Sequence, residues 1–196
     1  MAINDRLRVM LVDGRQRRAA MVEEAMNDLG FDVVARVTPQ ADLLARIAEV
    51  HPDVIIVDME APTRDILEDM RSIKREAPKP VVMFTNDGDT DTIRSAVEAG
   101  VSAYVVDGLQ PARIRPILDA AIARFNSYQT LRVELEDTRR TLAERKTIDR
   151  AKGILMKQRG FSEDEAYKAL RKAAMERNKK LVEVAQNLID MAALLG

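Results

Sequence analysis

The sequence predicts a doubly wound α/β sheet of five parallel strands, followed by a long helix and a small three-helix bundle. Three observations predict it. Short apolar runs alternate with segments of helical spacing over the first 125 residues. Those runs are continuously apolar, as strands covered on both faces require. Beyond Pro111 the helical spacing continues, with no glycine or proline between Ile117 and Lys152.

Each element has a local reason. LRVMLV (7–12) is an apolar strand ending at Asp13-Gly14, and in 17–29 Ala20, Met21, Ala25, Met26 and Leu29 share a helical face. Gly30 stops that helix. FDVVARV is a strand and ADLLARIAEV a helix; DVIIVD (53–58) is a strand and ILEDMRSIKREA a helix. PVVMFT (80–85), the helix DTIRSAVEAG with its glycine stop, and SAYVV complete the pattern. Pro111 suits the first turn of the next helix. In such sheets the site lies beyond the carboxyl ends of the strands, which are Asp13, Asp58, Thr85 and Asp107.

Composition narrows the function. With no cysteine there is no disulfide, thiolate chemistry or zinc–cysteine site. The single histidine, His51, precedes a proline, and neither a P-loop nor a dinucleotide glycine motif is present, so an enzyme is not expected. The ten methionines read as packing residues. MAINDRLRVMLVDGRQ lacks the long apolar segment of a signal peptide, and no apolar run reaches the roughly 18 residues of a membrane span. A soluble protein of the cytoplasm is expected. The net charge of −1 conceals a division: residues 139–180 hold 14 basic and 6 acidic side chains, leaving −9 on the rest. A cationic segment of this kind suits a polyanion.

The first 125 residues resemble the response-regulator receiver domain. The resemblance rests on Asp13 after strand 1, Asp58 in VIIVDME, Thr85 in VVMFTN and Tyr104 in strand 5. It implies a flavodoxin-like sheet with Asp58 as the phosphoacceptor position. It further implies two acids after strand 1 that help hold Mg²⁺, and a strand-5 lysine that joins the threonine on the phosphoryl oxygens. This chain departs twice. Gly14 replaces the second acid, which weakens any Mg²⁺ site, and Asp107 stands at the lysine position. Two like charges about 4 Å apart repel by roughly 4 kcal/mol at an effective dielectric of ~20. Asp58 is therefore expected not to be used as a phosphoacceptor, and Asp107-Gly108 is equally a turn pair.

In the long helix, Leu131, Leu135, Thr138, Leu142 and Arg145 follow a 4-3-4-3 spacing, with Phe125 and Tyr128 before them. This seam suits a coiled coil, either joining two chains or packing on its own chain. The carboxyl-terminal segment has an apolar face of Ile148, Ala151, Leu155 and Met156, a stop at Gly160, and a capping box from Ser162 to Glu165. Two further helices follow, with Asn178 in their connection. The expected division is a receiver-like domain at 1–125, a helical linker at 126–147, and a carboxyl-terminal helical domain at 135–196 that overlaps the linker.

That last segment resembles the ANTAR domain through Ile148, AKGILM (151–156), Ala166, Leu170, AAM (173–175), Arg177-Asn178, Leu181 and Ala185. The resemblance implies binding to leader-RNA hairpins and prevention of terminator formation. The expected contacts are Lys146, Arg150, Lys152, Gly153, Lys157, Arg159, Arg171, Lys172, Arg177, Asn178, Lys179 and Lys180. Gly153 would allow close approach of either RNA or a packed helix, and Tyr167 either stacks on a base or packs. AYVVDGL running into PILDAAIARF resembles nitrate/nitrite-assimilation antiterminators of the NasT type. That implies a cytoplasmic nitrate-sensor protein, resembling NasS, that restrains the antiterminator. The alternatives are a phosphorylation-switched regulator fed by a histidine kinase and a DNA-binding regulator.

Overall fold

Strands β1 (Arg8–Asp13), β2 (Asp32–Val37), β3 (Val54–Asp58), β4 (Val81–Phe84) and β5 (Ala103–Val105) form one parallel sheet in the order β2-β1-β3-β4-β5. The computed structural model describes residues 6–14, 23–24, 26–106 and 108–194. Within these, Glu23, Glu24 and residues 26–28 are helical, and Gly30 follows at φ +82°. The rest of the helix expected at 17–29 lies outside the described residues, as does Asp107.

The continuously apolar strands are explained by their neighbours. Met10, Val12, Ile55, Val57 and Met83 point to one face, where helices α1 (Leu43–Val50), α2 (Arg64–Glu76) and α3 (Thr90–Ala99) cover them. Val9, Leu11, Val54, Ile56, Val82 and Phe84 point to the other, against Met26, Ile114, Leu118 and Ala121. β1, β3 and β4 are buried almost throughout, whereas β2 and β5, at the edges, are only partly covered.

Side-chain caps set the helix starts. Asp42 accepts from Ala45 N, Thr63 from Ile66 N, and Asp89 from the amides of Asp91 and Thr92. Those amide bonds hold the Asp89 carboxyl below its ordinary range. Gly100 ends α3 at φ +108°, and a Cβ there would sit 2.8 Å from Lys74 Cδ, so both conformation and space demand glycine.

Helix α4 (Pro111–Arg159) is a single 49-residue helix. Pro116 removes one amide from its second turn. The chain divides into two compact units, Met1–Gln129 and Thr130–Gly196, with α4 contributing to both. In the second unit, α4 is followed by α5 (Glu163–Glu176) and α6 (Leu181–Leu194). Ala151, Leu170, Ala174, Val184, Ala185 and Ile189 form its buried core. The expected capping box is present: Ser162 Oγ accepts from Glu165 N, and the Glu165 carboxylate accepts from Ser162 N at 2.8 Å. Gly160 and Asn178, both at positive φ, close α4 and α5.

One expectation needs correction. Met10, Met26, Met59, Met70 and Met83 are core residues, but Met156, Met175 and Met191 are exposed, so methionine is not uniformly a packing residue here.

Candidate functional site

At the sheet's carboxyl edge the chain order reverses between β1 and β3, where a doubly wound sheet opens a crevice. Asp13 and Asp58 are register partners there, both buried, and Gly14 N donates to Asp58 O at 3.4 Å. Thr85 stands at the end of β4, also buried. Its hydroxyl donates to Glu60 O at 2.7 Å and accepts from Asp87 N at 3.1 Å. Tyr104 Oη donates to Asp87 O at 2.9 Å. Burial pushes the Tyr104 phenol up, which keeps the proton that this bond uses. The second acid after β1 that the receiver resemblance associates with Mg²⁺ is replaced by Gly14, which offers no side-chain oxygen. Space does not force the glycine, because a Cβ there would lie 3.9 Å from Pro39 Cγ. Two carboxylates thus fit a cation partially, with one ligand fewer than the pattern. Among the described residues no group of three or more His, Asp or Glu side chains is arranged to hold a metal.

The second unit presents the expected basic residues in two classes. Lys146, Arg150, Lys157, Arg159, Arg171, Arg177, Lys179 and Lys180 are exposed. Among the described residues none of these eight makes an ion pair. At about 100° per residue, Lys146, Arg150 and Lys157 fall within about 40° of one another on α4, forming one cationic stripe. Lys172 lies 3.8 Å from Glu176. Lys152 differs more. Its side chain is only 14% exposed, and Nζ lies 2.7 Å from both Asp149 Oδ1 and Glu163 Oε1. The bonds to Asp149 and then Glu163 raise the Lys152 pKa, and Lys152 in turn lowers that of Asp149. Lys152 thus ties α4 to the start of α5, with its charge already met inside the protein. The Asp149–Lys152 spacing was legible as an i,i+3 pair. Glu163, eleven residues on and in another helix, gave no such signal.

Beside this tie lies a cleft of about 580 Å³, lined by Ile148, Lys152, Gly153, Met156, Tyr167 and Leu181 among others. Gly153 is in mid-helix, where glycine costs about 1 kcal/mol relative to alanine. A Cβ at Gly153 would meet no atom within 4 Å. Packing inside the unit therefore does not account for the glycine. Tyr167, at 40% exposed, forms part of the wall rather than the core. Asn178 occupies the α5–α6 connection at φ +50°, so its place follows from turn conformation.

Comparisons with known proteins agree with both units. The response regulator receiver domain family matches residues 9–119, and the ANTAR domain family matches residues 136–189. The transcriptional regulatory protein PdtaR of Mycobacterium tuberculosis is 27% identical over 184 residues, covering 93% of this chain and 89% of that protein. The nitrate regulatory protein of Klebsiella oxytoca is 42% identical over 80 residues, 41% of this chain and 20% of that protein. Among solved structures, the receiver domain of a diguanylate cyclase from Desulfovibrio desulfuricans G20 superposes with a TM-score of 0.54 at 20% identity, covering 63% of this chain and 99% of that one. A LuxR-family response regulator from Aurantimonas sp. SI85-9A1 gives 0.54 at 24% identity, covering 61% and 86%. These two likenesses establish the sheet's fold. No helix among the described residues is long and apolar enough to cross a membrane.

Proposed function

This chain belongs to the response regulator receiver family and carries an ANTAR domain behind the receiver; from that premise we propose that it is an RNA-binding transcription antiterminator that grips leader hairpins and prevents a terminator from forming. The observation that carries this is the set of eight exposed basic residues on the ANTAR unit that make no ion pair among the described residues. Cations left unmatched inside the protein are available to phosphates, whose counterions they release. The partial likeness to a nitrate regulatory protein supports nitrate or nitrite assimilation as the process.

The test compares binding of a leader hairpin with binding of a DNA duplex of the same sequence. Preference for the hairpin is expected. Equal or tighter binding of the duplex would favour a DNA-binding regulator instead.

Residue chemistry supports control by a protein partner rather than by phosphorylation. Phosphoryl transfer needs positive groups around the equatorial oxygens. Here Gly14 supplies no metal ligand and Asp107 brings a negative charge where the family has lysine. A nitrate-sensing protein that docks on the receiver is the partner this reading requires. Incubation with acetyl phosphate and Mg²⁺ is expected to leave Asp58 unlabelled. Asp107→Lys alone does not restore labelling, whereas Asp107→Lys with Gly14→Asp gains it. Stable labelling of the unmodified chain, lost in Asp58→Asn, would instead establish a phosphorylation switch.

Exposed apolar side chains support pairing of two chains through α4. Leu131, Leu135 and Leu142 are 64%, 50% and 53% exposed and lie on one stripe.

A further inference from the structure

The cleft beside Lys152 has a composition unlike that of the cationic stripe. Glu144, Asp149 and Glu163 line it together with Arg145 and Lys152, so acids outnumber bases. A phosphate is repelled by such a rim, whereas an amino group on a ring edge finds carboxylates that accept its N–H. The walls are suited to a flat ring. Tyr167 and Met156 are partly exposed, and the α4 backbone is bared at Gly153 because nothing fills the Cβ position. A glycine that internal packing does not require, facing an open cleft with an aromatic wall, fits close approach by something planar from outside.

We propose that this cleft receives one unpaired nucleobase of the bound RNA, its face stacked on Tyr167 across the open backbone at Gly153 and its amino edge toward Glu163 and Asp149. The inference rests on the RNA-binding reading above and refines it. The stripe of Lys146, Arg150 and Lys157 holds phosphates without regard to sequence, and the cleft supplies the choice of base. Guanine, adenine and cytosine carry the exocyclic amine that the carboxylates accept. Uracil does not.

The experiment uses the full chain and a pool of RNA hairpins with a fixed stem and a randomised loop. After selection, the enriched loops are expected to hold one position as guanine, adenine or cytosine and to exclude uracil there. Fluorescence anisotropy then compares wild type with Gly153→Leu, Tyr167→Ala and Tyr167→Phe. Loss of base–aromatic stacking in Tyr167→Ala, and exclusion of the base by the leucine side chain in Gly153→Leu, make both bind about tenfold or more weakly. Their slope of log affinity against log salt stays that of wild type, since no phosphate contact is lost. Tyr167→Phe keeps the affinity. Thermal melts verify folding, and Gly153→Ala melts higher than wild type because its methyl meets open space. Three results overturn the proposal while leaving RNA binding intact: unchanged affinity of Gly153→Leu, enriched loops with no fixed base, or a change in oligomeric mass in Gly153→Leu with base preference retained. Failure of the wild-type chain to bind any hairpin overturns the RNA-binding reading and this one together.

Discussion

Replacing Lys146, Arg150 and Lys157 by alanine together is expected to weaken hairpin binding on the order of a hundredfold at ~0.15 M salt, and to flatten the salt dependence by two to three units of log–log slope, at roughly 0.7–0.9 per phosphate contact. All three lie on one face of α4, are exposed, and make no ion pair among the described residues. Their removal leaves no acid stranded, so the helix content should be unchanged by circular dichroism. Lys152→Ala provides the contrast. Nζ of Lys152 already meets Asp149 and Glu163. Its loss frees two carboxylates near the cleft and loosens the α4–α5 tie, so it should lower thermal stability while moving the salt slope little. If both variants change the slope equally, the division of the basic residues into two classes is wrong.

The second large effect concerns the core of the ANTAR unit. Leu170 is 3% exposed and packs in one cluster with Ala151, Ala174, Val184, Ala185 and Ile189. Leu170→Ala removes one of its two largest buried side chains and leaves a cavity in that cluster, a change that costs about 2–5 kcal/mol. A helical unit of this size has a total stability of roughly 3–10 kcal/mol. The variant should lose most of the unit's helix signal at modest temperature, and RNA binding with it. Unfolding of the sheet unit should stay where it is, because its core is built from other residues. A melt in which the helical signal of Leu170→Ala matches wild type would show that the cluster does not hold the unit together.

Much of the fold was legible in the sequence because its signals are local. Continuous apolar runs such as VIIVD need cover on both faces, and the sheet provides it. Ser162 and Glu165 announce a helix start three residues apart, and the reciprocal bonds are there. Gly30, Gly100 and Gly160 mark stops, and each has positive φ. The pocket residues Asp13, Asp58 and Thr85 were legible from position alone, since strand ends fix them. What stayed hidden depends on groups distant in the chain. The double ion pair of Lys152 needs Glu163 from another helix, so a count of bases on the sequence overstates the charge available to a polyanion. Gly153 was ambiguous for the same reason. Only the empty space around its Cβ separates outside approach from internal packing.

The bonds of Thr85 carry one further consequence. A single hydroxyl secures both Glu60 O and Asp87 N, and Tyr104 fastens the same Asp87 from its carbonyl side. Anything in the crevice that draws this hydroxyl away weakens the hold on two neighbouring loops at once, leaving Glu60 O to Asn86 N at 3.0 Å and Asp87 O to Tyr104. Thermodynamic reciprocity then requires the reverse: a protein that grips those loops alters the crevice's affinity for its occupant by the same factor. Under the partner control proposed above, an encounter on the receiver's rim would reach the crevice through these bonds, with no covalent mark needed on Asp58.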